Sequence, residues 1–366
     1  MKIGIVGLPN VGKSTLFNAL VSASQAEASN YPFCTIDPNI GIVNVPDVRL
    51  EKLTNISKSA KTIPAIVEFV DVAGLVAGAH KGEGLGNQFL SHIRECDAIV
   101  IVTRFFEDGN IIHVNGKTNP EEDGKIINLE LILSDLSIVE KRLESLQKDI
   151  KQNDLKARLA CGALEKIKNT LENEKPAQSV ILDIKEQESI KEINLITLKP
   201  AIYIANVSES DAGLEKNELL EKYKATEYFN SKNLIIVSAK IESDLNNLEE
   251  TEKKEYLESI GLKESGLVRL IKEAYSALGL ITYFTTGEKE SRAWTIHKGS
   301  SAPQAAGVIH TDFERGFIAA DICKYDDFIN SNGWQNAKEK GLVKTQGKDY
   351  IFEDGDITIF KFNVNR

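Results

Sequence analysis

The sequence predicts an α/β protein. A doubly wound, mostly parallel sheet is built around an N-terminal glycine loop, an α-helical coiled-coil hairpin is inserted into it, and a small, mostly β domain ends the chain. Three observations carry this. Residues 7–14 read Gly-Leu-Pro-Asn-Val-Gly-Lys-Ser, a G-x-x-x-x-G-K-[ST] loop between apolar Ile3, Ile5 and Val6 and the helix formers Leu16, Phe17, Ala19 and Leu20. Short Ile- and Val-rich runs recur with helical sequence between most of them. Residues 128–173 carry apolar positions at 3-4-3-4 spacing, the seam of a coiled coil.

The loop comes first. Gly7 and Gly12 let the backbone turn so that its N–H groups converge on phosphate oxygens, and the following helix adds its positive end. Lys13 would reach the β- and γ-phosphates, and the Ser14 hydroxyl would ligate Mg²⁺. The strand-length runs are 2–6, 40–45, 65–72, 98–102, 201–207 and 234–238. The second and third are separated by a short helical stretch, which suggests a local antiparallel pair. The seam positions are Leu129, Ile132, Leu136, Val139, Leu143, Leu146 and Ile150, then Ala157, Ala160, Leu164, Ile167 and Leu171. Gln152, Asn153 and Asp154 break the run, so two antiparallel helices are expected, with a further helix in 176–195. Residues 242–258 are acidic and read as a solvated helical linker. Beyond Gly279 the pattern turns to strands at 281–286, 293–297, 316–321 and 356–362. The domains expected are 1–127 plus 196–278 for nucleotide binding, 128–195 for the inserted helices and 279–366 for the last module.

Bulk composition narrows the classes. A chain of 366 residues is long for one core. Forty-four basic against fifty-four acidic residues leave a net charge of −10, which argues against charge-driven binding to nucleic acid at large; no DNA partner is expected. Cys34, Cys96, Cys161 and Cys323 are scattered and read as reduced thiols of a cytoplasmic protein. No apolar run approaches the ~18 residues of a membrane span, and a loop starting at Gly7 leaves no room for a removed signal peptide.

A nucleotide constellation follows the loop. Thr35 stands where a switch residue would complete Mg²⁺ coordination. Asp71, ending the 66–70 run, would hold the ion through a water, and the Gly74 N–H would meet the γ-phosphate. Gly78, Gly82, Gly84 and Gly86 make a second switch segment of the stretch after it. Asn206-Val207-Ser208-Glu209 and Ser238-Ala239-Lys240 occupy the places of the N-K-x-D and S-A-K elements of GTP-binding switch proteins. Glu209 is one methylene too long for the guanine-reading aspartate, and Val207 removes the lysine whose stem packs on the base. Adenine becomes plausible, read by the Asn206 amide and the backbone near Val207, and the residues leave ATP and GTP both open. The candidate nucleotide-binding set is Gly7, Asn10, Val11, Gly12, Lys13, Ser14 and Thr15 at the phosphate end, Gly74, and Asn206, Val207, Glu209, Ser238 and Ala239 at the base end.

Those stretches resemble the Obg-like ATPase (YchF) family over essentially the whole chain. The matching segments are 7–15, 30–39, 71–87, 206–209 and 238–240, and above all Arg292-Ala293-Trp294-Thr295-Ile296 with 302–307 and 309–314. The resemblance implies that the last module is a ubiquitin-like β-grasp (TGS) domain. It also implies ATP over GTP, association with ribosomes, and roles in translation and stress. Many such hydrolases orient the attacking water with a Gln after D-x-x-G; here Leu75 stands there, so slow intrinsic hydrolysis is expected. Candidates to replace it are His113, less so His80, or a K⁺ ion held near Asn10. Residues 140–175 carry nine Lys or Arg against seven Asp or Glu. Lys141, Arg142, Lys148, Lys151, Lys156 and Arg158 could meet rRNA phosphates, or simply solubilise the hairpin. Competing classes are an Obg-class GTPase, a metabolic kinase using the same loop, and a stress adaptor in which hydrolysis is incidental.

Overall fold

The computed structural model describes residues 1–25, 39–72, 85–108 and 118–363. From the N-terminus, β1 (Lys2–Val6) leads through the glycine loop into α1 (Lys13–Gln25). Then come β2 (Ile40–Asn44), α2 (Val48–Ser57), β3 (Thr62–Ile63), β4 (Ile66–Asp71), α3 (Leu85–Arg94) and β5 (Ala98–Phe105). The inserted helices are α4 (Pro120–Lys151), α5 (Leu155–Glu172) and α6 (Ile184–Ile190). β6 (Ala201–Val207), α7 (Lys216–Lys222), α8 (Thr226–Phe229), β7 (Leu234–Val237), α9 (Ala239–Leu245), α10 (Glu250–Ser259) and α11 (Gly266–Ala277) follow. The C-terminal strands are β8 (Leu280–Thr286), β9 (Ser291–His297), β10 (Phe317–Cys323), β11 (Lys344–Gln346) and β12 (Ile357–Phe362), with α12 (Ala302–Ile309) after β9. Among the described residues no helix is long and apolar enough to cross a membrane.

The first sheet runs β2-β4-β1-β5-β6-β7, and the pairs from β4 to β7 are parallel. Its central strands are near-continuous apolar runs because helices cover both faces; all eight residues of β5 are buried. The Val45 N–H bonds the Ala65 carbonyl at 2.8 Å and the Asp71 N–H the Asn39 carbonyl at 2.9 Å. Those partners descend along one strand as they ascend the other, so β2 and β4 are antiparallel, as expected.

By packing, the chain divides into two compact units, one made mainly of Met1–Ala23 and Glu68–Arg269, the other of Ile42–Val67 and Leu270–Arg366. In the second, the sheet order is β11-β10-β12-β8-β9-β3. β8 and β9 form an antiparallel hairpin, and β12 returns parallel to β8, the β-grasp order. α12 packs Ala302, Ala305 and Ala306 into a core with Tyr283, Phe317 and Phe352, and Trp294 and Phe313 pack against it. The edge strand β3 and short β11 carry too few residues for a periodic pattern, which is why neither is legible in the sequence. At the start of α2, Arg49 joins Asp47 at 2.7 Å and Asp354 at 2.6 Å.

The hairpin forms where the seam predicts it. Asp154 caps α5 through the Lys156 and Ala157 N–H groups, and Ile132, Val139 and Leu146 meet Ala157, Ala160, Leu164, Ile167 and Leu171. Leu129 is a correction: it is 38 % exposed, and the seam starts one step later at Ile132. The reason is that α4 begins nine residues earlier than the periodicity suggests, capped by Asn119, and its first turns bury Ile127 and Leu131 instead. Glu242 is a second correction. It is buried rather than solvated, and accepts the Gly266 N–H at 2.6 Å, capping the start of α11.

Candidate functional site

The C-terminal ends of parallel β1, β5, β6 and β7 open onto a cleft of about 620 Å³, where doubly wound sheets bind ligands. One end is the glycine loop. Asn10 has φ 63° and Gly12 φ 92°, so consecutive parts of the loop sit in the left-handed region that folds N–H groups inward. At Gly12 a Cβ would come 2.2 Å from Asn206 Nδ2, and at Gly7 it would come 2.5 Å from the Val102 carbonyl; both positions need glycine for close approach. Asn10, Gly12, Lys13, Ser14 and Thr15 line the cleft, while Gly7 and Val11 are buried beside it.

Lys13 is buried, and its Nζ donates to the Leu8 carbonyl at 2.7 Å. Burial pushes its ammonium down to about 8, against the opposing pull of Asp71. The Ser14 Oγ donates to Asp71 Oδ2 at 3.2 Å, so two of the three expected metal residues already meet. Burial raises the Asp71 carboxyl, while the Ser14 hydroxyl and Lys13 lower it. A hydroxyl and a carboxylate are hard oxygen donors of the kind Mg²⁺ takes, completed by ligand phosphates rather than by a protein cage. The described residues contain no cluster of three or more His, Cys, Asp or Glu placed to hold a metal. Thr35, Gly74 and His113, with Leu75, His80 and Cys34, lie outside the described residues.

At the base end, Asn206 lines the cleft. Its Nδ2 donates to the Val11 carbonyl at 2.9 Å, and its Oδ1 accepts the Ala239 N–H at 3.0 Å. Asn206 therefore ties the glycine loop to the 238–240 turn, and each amide atom has capacity for a second bond. Ser238 caps α9 with its side chain. Glu209 is held by Lys240, Oε2 to Nζ 2.6 Å. Val207, Glu209, Ser238 and Ala239 all line the cleft.

Sequence reasoning missed the opposite wall. The apolar run ends at Val102, interrupted by Thr103 and Arg104, yet β5 continues to Phe105 because its neighbour pairs it to the end, Arg104 opposite Asn206 and Phe105 opposite Val207. Phe106, Glu107 and Asp108 then line the cleft. The available hint was the Phe105-Phe106 pair beyond a charged residue, too short to read as strand.

Residues 2–132 match the family described as "50S ribosome-binding GTPase", and residues 280–363 match the YchF GTPase C-terminal family, described as "Protein of unknown function (DUF933)". The chain is 53 % identical over 365 residues to the "Ribosome-binding ATPase YchF" of Bacillus subtilis, covering 99 % of both chains. The chain belongs to the YchF family. A YchF relative from Escherichia coli O157:H7, also called "Ribosome-binding ATPase YchF", is 50 % identical, again with 99 % of each chain covered. "Obg-like ATPase 1" of Rattus norvegicus is 45 % identical across 100 % of this chain and 93 % of its own. The solved "Structure of the Schizosaccharomyces pombe YchF GTPase" superposes with a TM-score of 0.87 at 40 % identity, covering 99 % of this chain and 97 % of that one.

In this YchF chain the buried Lys13 gives the site a pH dependence. A triphosphate held here would stabilise the charged lysine, so its binding above the free group's value would take up a proton. Nucleotide affinity is expected to be flat below about pH 8 and to fall about tenfold per pH unit above it, and Lys13→Arg should flatten the profile. Titrations from pH 7 to 9.5 check this; a profile flat through 9.5 in the unaltered protein would contradict it. The sign for folding is opposite. The lysine is depressed below its ordinary 10.5, so its burial penalty fades between about 8 and 10.5 as pH rises.

Proposed function

We propose that this protein hydrolyses ATP, in preference to GTP, with Mg²⁺, in the cytoplasm, and that its nucleotide state governs its hold on the ribosome, with roles in translation and stress. The observation that carries this is one cleft with Lys13 and Ser14 at its phosphate end, Ser14 bonded to Asp71, and Glu209 and Val207 at its base end. Guanine is read by an aspartate that accepts from its N1–H and amine; here Glu209, one methylene longer, takes that place and Val207 replaces the lysine. The YchF relatives named as ribosome-binding ATPases support the same reading.

The residues act in sequence along the ligand. Loop N–H groups and the start of α1 bind the phosphates. Lys13 exchanges the Leu8 carbonyl for a phosphate oxygen and neutralises charge developing as the β–γ bond breaks. Ser14, Thr35 and, through a water, Asp71 would hold Mg²⁺, which supplies further charge neutralisation on the phosphate oxygens when bound. The Gly74 N–H would meet the γ-phosphate. His113 would orient the attacking water, or Asn10 would help hold a K⁺ ion that adds positive charge, since a leucine side chain at position 75 has no hydrogen-bonding group.

Steady-state turnover tests the chemistry. With Mg²⁺ the isolated protein should cleave ATP faster than GTP, below ~10 s⁻¹, and faster in KCl than in NaCl. Equal rates in the two salts would remove the K⁺ route. Faster GTP cleavage would establish the second reading, an Obg-class GTPase, which the match of residues 2–132 to a ribosome-binding GTPase family favours.

The ribosome contact is assigned to the hairpin. Lys141, Arg142, Lys148, Lys151, Lys156 and Arg158 are all exposed around its tip, and Leu155 there is 77 % exposed. Replacing all six basic residues by Gln should weaken co-sedimentation with ribosomes at least tenfold and flatten its salt dependence. Unchanged co-sedimentation would eliminate the hairpin as the contact.

A further inference from the structure

We infer that Arg94, the last residue of α3, couples the nucleotide site to the helical hairpin by gripping both chain segments that enter and leave the insert; this rests on the function proposed above and names how that function is regulated. Along the chain α3 follows Asp71, the residue bonded to Ser14 at the phosphate end. Its far end meets the root of the insert. Arg94 Nη1 donates to Asp135 Oδ1 at 2.7 Å and to the Asn194 carbonyl at 3.2 Å, and Nη2 donates to Ser134 Oγ at 2.7 Å. Ser134 and Asp135 belong to α4, on the way out to the tip, and Asn194 to the turn on the way back to β6. In return, Lys199 Nζ donates to the Arg94 carbonyl at 2.7 Å and to the Cys96 carbonyl. The end of α3 is thus held by main chain as well as side chain. All of these segments lie in the first compact unit.

The joint sits where α4 changes partners. Ile127 and Leu131 are buried but stand apart from the hairpin cluster, which begins on α4 at Ile132. Leu195, beside Asn194, belongs to that cluster, and the Ala177 N–H, beyond α5, bonds the Thr197 hydroxyl at 3.1 Å. From Asp135 to Lys151 the helix rises about 24 Å, so a turn of about 10° at the joint moves the tip by about 4 Å. Its bonds are directed, and they are not equally costly to break. Asp135 is fully enclosed and has the Ile196 N–H, the Thr197 N–H and the Thr197 hydroxyl besides Arg94. The Arg94 side chain is 15 % exposed and reaches water when released, so it is the member that lets go. A fork that is closed on two segments or open has discrete arrangements, where an apolar contact would slide. A shift of α3 with nucleotide state is thereby passed to α4 and the return turn together. The planar guanidinium is what lets one side chain hold Ser134, Asp135 and Asn194 at once; a lysine has no such fork.

The test is ribosome co-sedimentation of the full chain with Mg²⁺ and either the non-hydrolysable ATP analogue AMPPNP or ADP, beside calorimetry with the same nucleotides and no ribosomes. In the unaltered protein the two ribosome affinities should differ about fivefold or more. Arg94→Met should bring that difference below about twofold while each nucleotide's own affinity stays within about twofold. Arg94→Lys, which keeps the charge facing Asp135 and loses the fork, should keep only part of the difference. Hydrogen exchange at residues 194–199 should respond to the change of nucleotide in the unaltered protein and not in Arg94→Met. An affinity difference that survives intact in both variants overturns the coupling and leaves a nucleotide-governed hold on the ribosome standing, as does exchange at 194–199 that ignores the nucleotide. Ribosome binding weakened by the same factor in both states overturns it too, since a residue that merely supports the hairpin would do that. If the unaltered protein binds ribosomes equally with AMPPNP and ADP, the nucleotide-governed switch itself fails and the coupling with it.

Discussion

Asp135→Ala is expected to lower the free energy of unfolding by about 3–5 kcal/mol, the range for breaking a buried ion pair from one side. Asp135 has no exposed surface. Its carboxylate accepts from Arg94 Nη1 at 2.7 Å, the Ile196 N–H at 3.0 Å, the Thr197 N–H at 2.7 Å and the Thr197 hydroxyl at 2.7 Å. Arg94 also donates to Ser134 Oγ and the Asn194 carbonyl. Three segments meet there: the end of α3, the middle of α4 and the 196–198 turn that returns the chain to β6. Removing the carboxylate leaves a half-buried guanidinium without its counter-charge and two backbone donors without their acceptor, and each such group costs about 1–3 kcal/mol. Urea unfolding of the single variant, and of the double variant Arg94→Met with Asp135→Leu, checks this. The double variant should recover part of the loss because no charge is left stranded. A single-variant loss under about 1 kcal/mol would show that the knot at the hairpin's base is not what holds it.

The second large effect is functional and leaves the fold intact. Lys13→Ala should reduce hydrolysis by about 10²–10³-fold, the usual consequence of removing one preorganised group that meets developing charge. Its midpoint of unfolding should stay the same or rise at pH 7. The lysine is buried, burial disfavours its charge, and its Nζ donates to the Leu8 carbonyl. Deleting it removes a desolvated cation along with that bond, and the two effects oppose. Parallel turnover assays and thermal unfolding separate the cases. A variant that loses activity and unfolds some 10 °C lower would mean Lys13 is chiefly structural.

The glycine loop, the sheet strands and the hairpin were legible because each rests on a local pattern. The loop is a string whose chemistry depends on residue type at fixed spacing, and the seam at Ile132, Val139 and Leu146 repeats along one helix. What escaped the sequence depends on partners far along the chain. Asp135 looks like any polar residue between Leu131 and Leu136; its meaning comes from Arg94, forty-one residues earlier, and from Thr197. Glu242 sits in an acidic stretch, and burial follows from the N–H group it caps at Gly266. Arg104 interrupts an apolar run, so the strand was read as ending before it; pairing with Asn206 carries β5 past it. At the site, residue types gave the phosphate end directly. At the base end, the ties from Asn206 to Val11 and Ala239 join segments nearly two hundred residues apart, which no local pattern shows.

The proposed function requires a cleft that holds a purine triphosphate and prefers adenine. Calorimetric titration of the purified chain with ATP and with GTP, each with Mg²⁺ at pH 7, tests that most directly. Saturable one-to-one binding of both is expected, with ATP tighter. Absence of heat and of saturation for either nucleotide would contradict it outright.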